Sequence, residues 1–299
     1  MAEVLVAGVG AIGGWLLGRL TEGGADVEGL ARGDTLARLG SGEHLVLRSH
    51  QGDWSGPVRV VADGLAGAPY DWVLVCTKVH QTDELVALLA DDGGTWVSVQ
   101  NGIEGPAILA RHHQPVAAAV VYSGCRKVDP VTVSHTANGF LVTDDEAVAA
   151  FLAGHGVSCR LVEDLRPVQW RKLMGNVVEN SLTALLRTTV GPLHTGDELE
   201  PVIDAALAEV AAVGRAEGID LPGDVVTSVH DALRSLPPGN GTSTLYDALA
   251  GRPLEVDALT GAVVRLAGRH GVPVPTVRTL DALLRFVSSR APASEPLRR

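Results

Sequence analysis

The chain has 299 residues, 46% of them hydrophobic and 20% charged, with a formal net charge of −11. That length and apolar content suit two domains or one large one with a real core, and exclude a disulfide-stapled miniprotein or a disordered tail. The acidic balance argues against general nucleic-acid or anionic-membrane binding.

The first half alternates short apolar runs with helical patterns. Glu3–Val9 reads as a strand, Ile12–Leu20 as a helix and Ala25–Leu30 as a second strand. Trp72–Cys76 and Trp96–Val99 read as later strands around a helix over Thr82–Leu89. Strands spaced by helices predict βαβ units and a parallel sheet. Val116–Val121 is a further β-rich run, Pro130–His135 and Phe140–Thr143 suggest a hairpin turning at Asn138-Gly139, and Val157–Val162 is the last strand-like run. After Asp164 the texture becomes helical. Pro167 suits a first helical turn before Val168–Leu186. Ile203, Leu207, Val210 and Gly214 form a stripe of period 3.6, as do Leu259, Val263 and Leu266, and Leu280, Leu284 and Val287. The predicted fold class is α/β: a Rossmann-type parallel-sheet domain over 1–164, then an all-helical domain over 165–299 whose last stretch, Ala291–Arg299, is expected to fray. The apolar stripes leave room for a homodimer.

No apolar run reaches the about 18 residues that a membrane helix needs. The opening MAEVLVAGVG lacks a basic start and a cleavage site, which predicts a cytoplasmic chain. Cys76, Cys125 and Cys159 have no paired or metal-type spacing and read as reduced thiols. No HxxxH or HExxH pattern occurs, so no metal site is expected.

Gly8-Val-Gly10-Ala11-Ile12-Gly13 follows a strand and opens a helix, the context in which this spacing binds a dinucleotide. The first glycine permits the turn, the second lets backbone approach a pyrophosphate, and the third lets helix and strand pack closely. The free N–H groups of the helix start, at Ala11 and Ile12, then face the phosphates. At the end of the second strand stands Arg32, suited to the 2′-phosphate of NADP; Glu28, the alternative NAD-type carboxylate, lies mid-strand.

Two other strand ends carry polar residues, where open parallel sheets bind ligands. Lys78 and Gln81 follow one, and Gln100-Asn101-Gly102 follows the other, although Asn-Gly is also a common turn. In the helical half, Lys172, Asn176 and Asn180 recur at i, i+4 and i+8, drifting only about 40° per step, so they share one polar stripe. Met174, Val178, Leu182 and Leu185 lie opposite. Such a stripe lines a polar cleft, with Lys172 placed to protonate an alkoxide, or else faces solvent. Only three of the 24 basic residues are lysine, Lys78, Lys127 and Lys172, and lysine, unlike arginine, can give up a proton near neutral pH. Further along, Asn240 and Ser243 precede a helix bearing Asp247, where Ser243 could serve as its cap, and Glu255 could serve as a helix-dipole partner.

Taken as a set, these residues resemble the ketopantoate reductase family over nearly the whole chain. The resemblance rests on the glycine loop, Arg32, Lys78-x-x-Gln81, Gln100-Asn101-Gly102, Lys172-x-x-x-Asn176-x-x-x-Asn180, Asn240-x-x-Ser243 and Glu255-x-Asp257. It implies NADPH-dependent reduction of a small 2-oxo acid, 2-dehydropantoate of the coenzyme A pathway, in a cleft between a Rossmann and a helical domain. It implies Lys172 as general acid, Glu255 as the residue that binds the substrate hydroxyl and supports the lysine, and Asn176, Asn180, Asn240 and Ser243 as substrate ligands. Asn101 would bridge cofactor and substrate, Lys78 would sit near the nicotinamide ribose, and Gln81 belongs to the same cofactor set. Val120–Cys125 departs from the threonine-rich family pattern, which leaves open a different oxo acid or an imine. A non-catalytic NADP(H) sensor is the other alternative, but it would have no use for Lys172, Asn176 and Glu255.

Overall fold

The protein is described by a computed structural model that covers residues 3–62, 70–89 and 94–290. The tail expected to fray, 291–299, lies outside the described residues. The chain divides into two compact units, Met1–Leu165 and Arg166–Arg299.

In the first unit, β1 (Val4–Ala7), α1 (Ala11–Glu22), β2 (Val27–Leu30) and α2 (Gly33–Gly40) come first. Then follow β3 (Leu45–Ser49), β4 (Trp54–Gly56), β5 (Arg59–Val61), β6 (Trp72–Val75), α3 (Thr82–Leu88), β7 (Thr95–Ser98) and α4 (Gly105–Leu109). The unit closes with β8 (Val116–Ala118), β9 (Val120–Asp129), β10 (Thr132–Thr143), α5 (Glu146–Gly154) and β11 (Cys159–Leu161). Six strands form a sheet in the order β5-β2-β1-β6-β7-β8, and every pairing is parallel. This is the doubly wound order, which reverses direction between β1 and β6 and so opens a crevice at the carboxyl ends of those strands. β1 is buried at all four positions, as a central strand covered on both faces must be.

A second sheet of five strands lies in the same unit: β11-β10-β3-β4, with β9 against β10. The hairpin expected at Asn138-Gly139 is displaced. β9 and β10 are the antiparallel pair and turn at Pro130-Val131, while Asn138 and Gly139 lie inside β10 at a register shift. Their φ values of 56° and 118° mark a bulge, which needs the same left-handed backbone as the turn that the dipeptide suggested.

Helix α1 packs against strands of both sheets. Ala11–Glu22 buries Trp15, Leu16, Leu17 and Leu20 almost completely. Each such side chain contributes about 1.5–3 kcal/mol of transfer free energy. Sandwiching a helix this tightly demands small residues where backbone approaches backbone. A Cβ on Gly13 would stand 2.0 Å from the Gly8 carbonyl oxygen, and one on Gly18 would stand 2.6 Å from Leu47 on the other side.

The second unit is helical: α6 (Arg166–Leu186), α7 (Val190–Leu193), α8 (Glu200–Ala216), α9 (Val225–Arg234), α10 (Ser243–Leu249), α11 (Thr260–His270) and α12 (Pro275–Ser289). Around α6 pack α7, α8, α9, α10 and α12, and every residue from Val177 to Ala184 is buried. The Glu209 carboxylate of α8 accepts from the backbone N–H groups of Thr276 and Val277 (2.9 and 2.8 Å), which caps α12 at its positive end. Among the described residues no helix is long and apolar enough to cross a membrane.

The α1 geometry sets a stability test. Gly13→Ala must move the Gly8 peptide and should cost at least about 2 kcal/mol in urea unfolding, whereas Gly10→Ala, whose Cβ would meet nothing within 4 Å, should stay within about 1 kcal/mol of the parent. Equal costs at the two positions would contradict the packing described.

Candidate functional site

In the first unit the polar candidates converge on the carboxyl edge of the parallel sheet. The loop Gly8–Gly10 leaves β1 with Gly8 at a φ of 105°. A Cβ on Gly8 would strike Thr77 at 2.8 Å, so the loop abuts the segment after β6 that leads into Lys78. Lys78 begins a 3-10 turn over Val79–Gln81, and its N–H donates to the Gln81 side-chain oxygen (3.2 Å). Gln81 therefore shapes the turn that presents Lys78. After β7, the Gln100 side chain donates to the Thr77 carbonyl and to the Thr82 hydroxyl, both at 3.0 Å, tying two adjacent strand ends together. Half-buried Asn101 follows, and Gly102 turns the chain at a φ of 86°.

The start of α1 offers free donors to which an anion could bind. No side chain caps it and no acid stands in its first turn, so the N–H groups of Ala11, Ile12 and Gly13 present the positive end of the helix. The open space beside Gly10 gives a dinucleotide's phosphates room to approach the backbone.

At the tip of β2, Arg32 precedes α2 with its side chain 44% exposed and bonded to Glu84 at 2.6 Å. An exposed pair of this kind is worth about 0–1 kcal/mol. Glu28 has a different role: its carboxylate accepts the Tyr70 hydroxyl at 2.5 Å. The acid that an NAD site would need is thus engaged inside the sheet, while the guanidinium stands at the strand end. The residues present fit a cofactor carrying a 2′-phosphate.

Sequence reasoning assigned no role to Lys127. From β9 its ammonium donates to the Val9 carbonyl and to the Thr35 hydroxyl of α2, clamping the glycine loop from beneath. Burial pulls its amine down to about 8. The one signal in the sequence was its being a lysine in a chain that otherwise uses arginine. The cysteines carry no such role: burial pushes the Cys76 and Cys125 thiols up to about 12 and Cys159 to about 11, so all three stay protonated and unreactive at neutral pH.

In the second unit, α6 carries the lysine and asparagine stripe. Lys172 and Asn176 are half-buried, and Asn180 is 6% exposed. The alternative of a solvent-facing stripe is therefore corrected, because none of the three is exposed. Burial pulls the Lys172 amine from 10.5 to about 8, and the nearby Glu255 charge pulls it back up. These two residues form one electrostatic unit. Glu255 precedes α11 by five residues and lies in no helix, which removes the helix-dipole reading for it. The cap of α10 is likewise not Ser243 but Thr242, whose hydroxyl accepts the Leu245 N–H at 3.1 Å. Ser243 is the exposed first residue of that helix. The Thr242 hydroxyl also bonds the Thr183 hydroxyl of α6 (2.7 Å), and the Asn240 carbonyl accepts the Val190 N–H (2.9 Å), which anchors the breaker-rich 236–243 loop to α6 and α7.

Residues 4–145 match the family model described as "Ketopantoate reductase PanE/ApbA", and residues 164–288 match that of its C-terminal region. The 2-dehydropantoate 2-reductase of Caulobacter vibrioides is 31% identical over 95% of this chain and 98% of its own. That of Halobacterium salinarum is 29% identical, with 95% and 98% covered. A crystal structure of a PanE/ApbA family ketopantoate reductase from Ralstonia eutropha JMP134 superimposes with a TM-score of 0.88 at 31% identity, covering 96% of this chain and 99% of that one.

The lowered amine sets the sign of a pH effect. Between about 8 and 10.5 the folded chain holds the Lys172 proton less well than the unfolded chain, so the contribution of Lys172 to stability rises with pH across that window. The difference in unfolding free energy, Lys172→Met minus parent, should accordingly fall by about 1–3 kcal/mol from pH 7 to 10.5. A difference that stays flat would mean an amine of ordinary basicity.

Proposed function

The chain belongs to the ketopantoate reductase family, and on that premise we propose that it reduces 2-dehydropantoate to pantoate with NADPH. The observation that carries the reading is the Lys172–Glu255 unit: an ammonium held half-buried on a helix that also carries two asparagines, with a basicity lowered to about 8.

NADPH, when bound, supplies the hydride that adds to the C2 carbonyl carbon. Gly8, Gly10 and the first-turn N–H groups of Ala11, Ile12 and Gly13 would hold its pyrophosphate, and Arg32 its 2′-phosphate. Lys78, Gln81 and Asn101 complete the cofactor set at the strand ends. As the carbonyl carbon is reduced, negative charge grows on its oxygen. The Lys172 ammonium neutralises that charge and delivers the proton, and solvent then reprotonates the amine. An amine near 8 is well matched to this task, since it is mostly protonated at neutral pH yet gives its proton up more readily than an ordinary lysine. Glu255 keeps the amine from falling further and accepts a hydrogen bond from a substrate hydroxyl. Asn176, Asn180, Asn240 and Ser243 supply the amide and hydroxyl groups that orient the carboxylate and oxygens of a 2-oxo acid.

The stretch Val120–Cys125, which departs from the family's threonine-rich pattern, supports a second reading that keeps the chemistry but changes the acid. Initial rates of NADPH oxidation with 2-dehydropantoate and a panel of other 2-oxo acids and imines decide between them.

Lys172→Ala should lower kcat by at least about a hundredfold while leaving NADPH affinity, read by fluorescence titration, unchanged. Turnover that survives this substitution removes Lys172 from the reaction. Arg32→Ala should raise the Kd for NADPH at least about tenfold while altering that for NADH little; matched losses for the two cofactors would show that Arg32 does not read the 2′-phosphate.

A further inference from the structure

Away from the lysine and asparagine stripe, the helical unit buries a second polar cluster that the reductase reading does not use. Glu179 stands in the fully buried middle of α6, 4% exposed. His194 caps the carboxyl end of α7, Glu200 and Asp204 lie in the first two turns of α8, and His230 is buried in α9. The two imidazole rings lie 6.0 Å apart. One ligand atom from each of His194, Glu200 and His230 lies within 4.8 Å of the others.

The hydrogen bonds give the cluster a direction. His194 Nε2 is held by the Glu179 carboxylate at 2.6 Å, and His230 Nδ1 is held by the Asp204 carboxylate at 2.8 Å. Each imidazole thus has one nitrogen engaged by a carboxylate. The other nitrogen, His194 Nδ1 and His230 Nε2, is buried without a hydrogen-bond partner, as is Glu179 Oε2. Glu200 Oε2 approaches His230 Nε2 at 3.2 Å, outside hydrogen-bond geometry. A buried polar atom left unpaired costs about 1–3 kcal/mol, and three occur here together. An imidazole steadied by a carboxylate on one nitrogen and bare on the other is the arrangement seen in metal-binding histidines, where the carboxylate fixes the tautomer and raises the basicity of the ligating nitrogen. Charge points the same way. Three carboxylates, those of Glu179, Glu200 and Asp204, lie against the two imidazoles, and the Arg234 guanidinium bonds Glu200 at 2.6 Å.

We propose that His194, His230 and Glu200 bind a divalent transition-metal ion of the zinc class, with Glu179 and Asp204 orienting the two imidazoles. Two nitrogens and one carboxylate oxygen match zinc's preferred donors and leave a fourth position for water or for Glu179. Motif spacing misses the set because its ligands come from three separate elements rather than from one helix. The site is distinct from the residues proposed for reduction, but Glu179 adjoins Asn180 in α6, so the ion would brace the turn that carries that asparagine.

The test uses the full chain, stripped with EDTA and exchanged into chelator-free buffer, and titrated with Zn2+ alone in competition with a chromophoric chelator. One equivalent per chain should bind. Co2+ in its place should give the visible d–d absorption of a low-coordinate nitrogen and oxygen site. His230→Gln should abolish the stoichiometric equivalent and the cobalt band. Asp204→Asn, a change at a largely exposed residue that leaves all three ligands in place, should weaken zinc by about 10–100-fold. Circular dichroism establishes that each variant is folded. Absence of a stoichiometric equivalent in the parent, or binding that both folded variants leave unchanged, overturns the proposal. Neither readout depends on reductase activity.

Discussion

The approach of α1 to β1 is the constraint from which the first unit follows. Where Gly13 passes the Gly8 carbonyl there is no space for even one methyl group. That closeness brings the helix start directly over the strand end, and the strand end is where the sheet order reverses. The glycine loop therefore cannot drift relative to the parallel sheet. Lys127 reinforces it by bonding the Val9 carbonyl, and Thr77 closes against Gly8 from the neighbouring strand. The same helix is covered on its other side by the second sheet, so its buried face extends almost all round, with polar residues confined to its carboxyl-terminal end.

Glu28 in β2 and Arg32 just beyond it show how a sheet gives two nearby charged residues different settings. Glu28 and Arg32 lie four residues apart, and a sequence rule based on distance alone permits either. Register separates them. Glu28 is paired within the sheet between β1 and β5 and gives its carboxylate to Tyr70. Arg32 lies beyond the last paired residue, and its partner Glu84 is mostly exposed. Only the latter stands at the open end of the strand, outside the paired sheet.

What could be read in the chain before folding was what local order encodes. The strand, glycine loop and helix at the start, the helical stripes of the second half and the β2 tip all depend on neighbours within about ten residues, and each is found where it was expected. In the second sheet β3 and β4 were not legible, because β3 is held by β10, more than 80 residues away, and β4 by β3. Asn138-Gly139 misled for a physical reason: a left-handed dipeptide serves a hairpin turn and a bulge equally well. The partners of Lys127 and the His194–His230 cluster were invisible for the same reason as β3. They are assembled by tertiary contacts and have no spacing to recognise.

Helix α6 combines two problems that globular proteins usually keep apart. Its middle is buried on all sides, which favours apolar residues, yet it carries an ammonium, two amides and a carboxylate within little more than two turns. Each charged group has an opposing neighbour: Lys172 has Glu255, and Glu179 has His194. Burial pushes each towards its neutral form, pulling the amine down and the carboxyl up, and the partners oppose that push. Removing either partner would leave a charge in a poorly solvated place, at a cost well above that of an exposed pair. Packing alone would be served better by leucine at these positions. Their presence in an otherwise well-packed helix is what a stability argument leaves unexplained and what a binding argument requires, since groups partly stripped of water interact more strongly with an incoming charge. The sequence of α6 is therefore a compromise in which packing energy is given up to keep polar groups in a largely buried helix, as the proposed reduction and metal site would require.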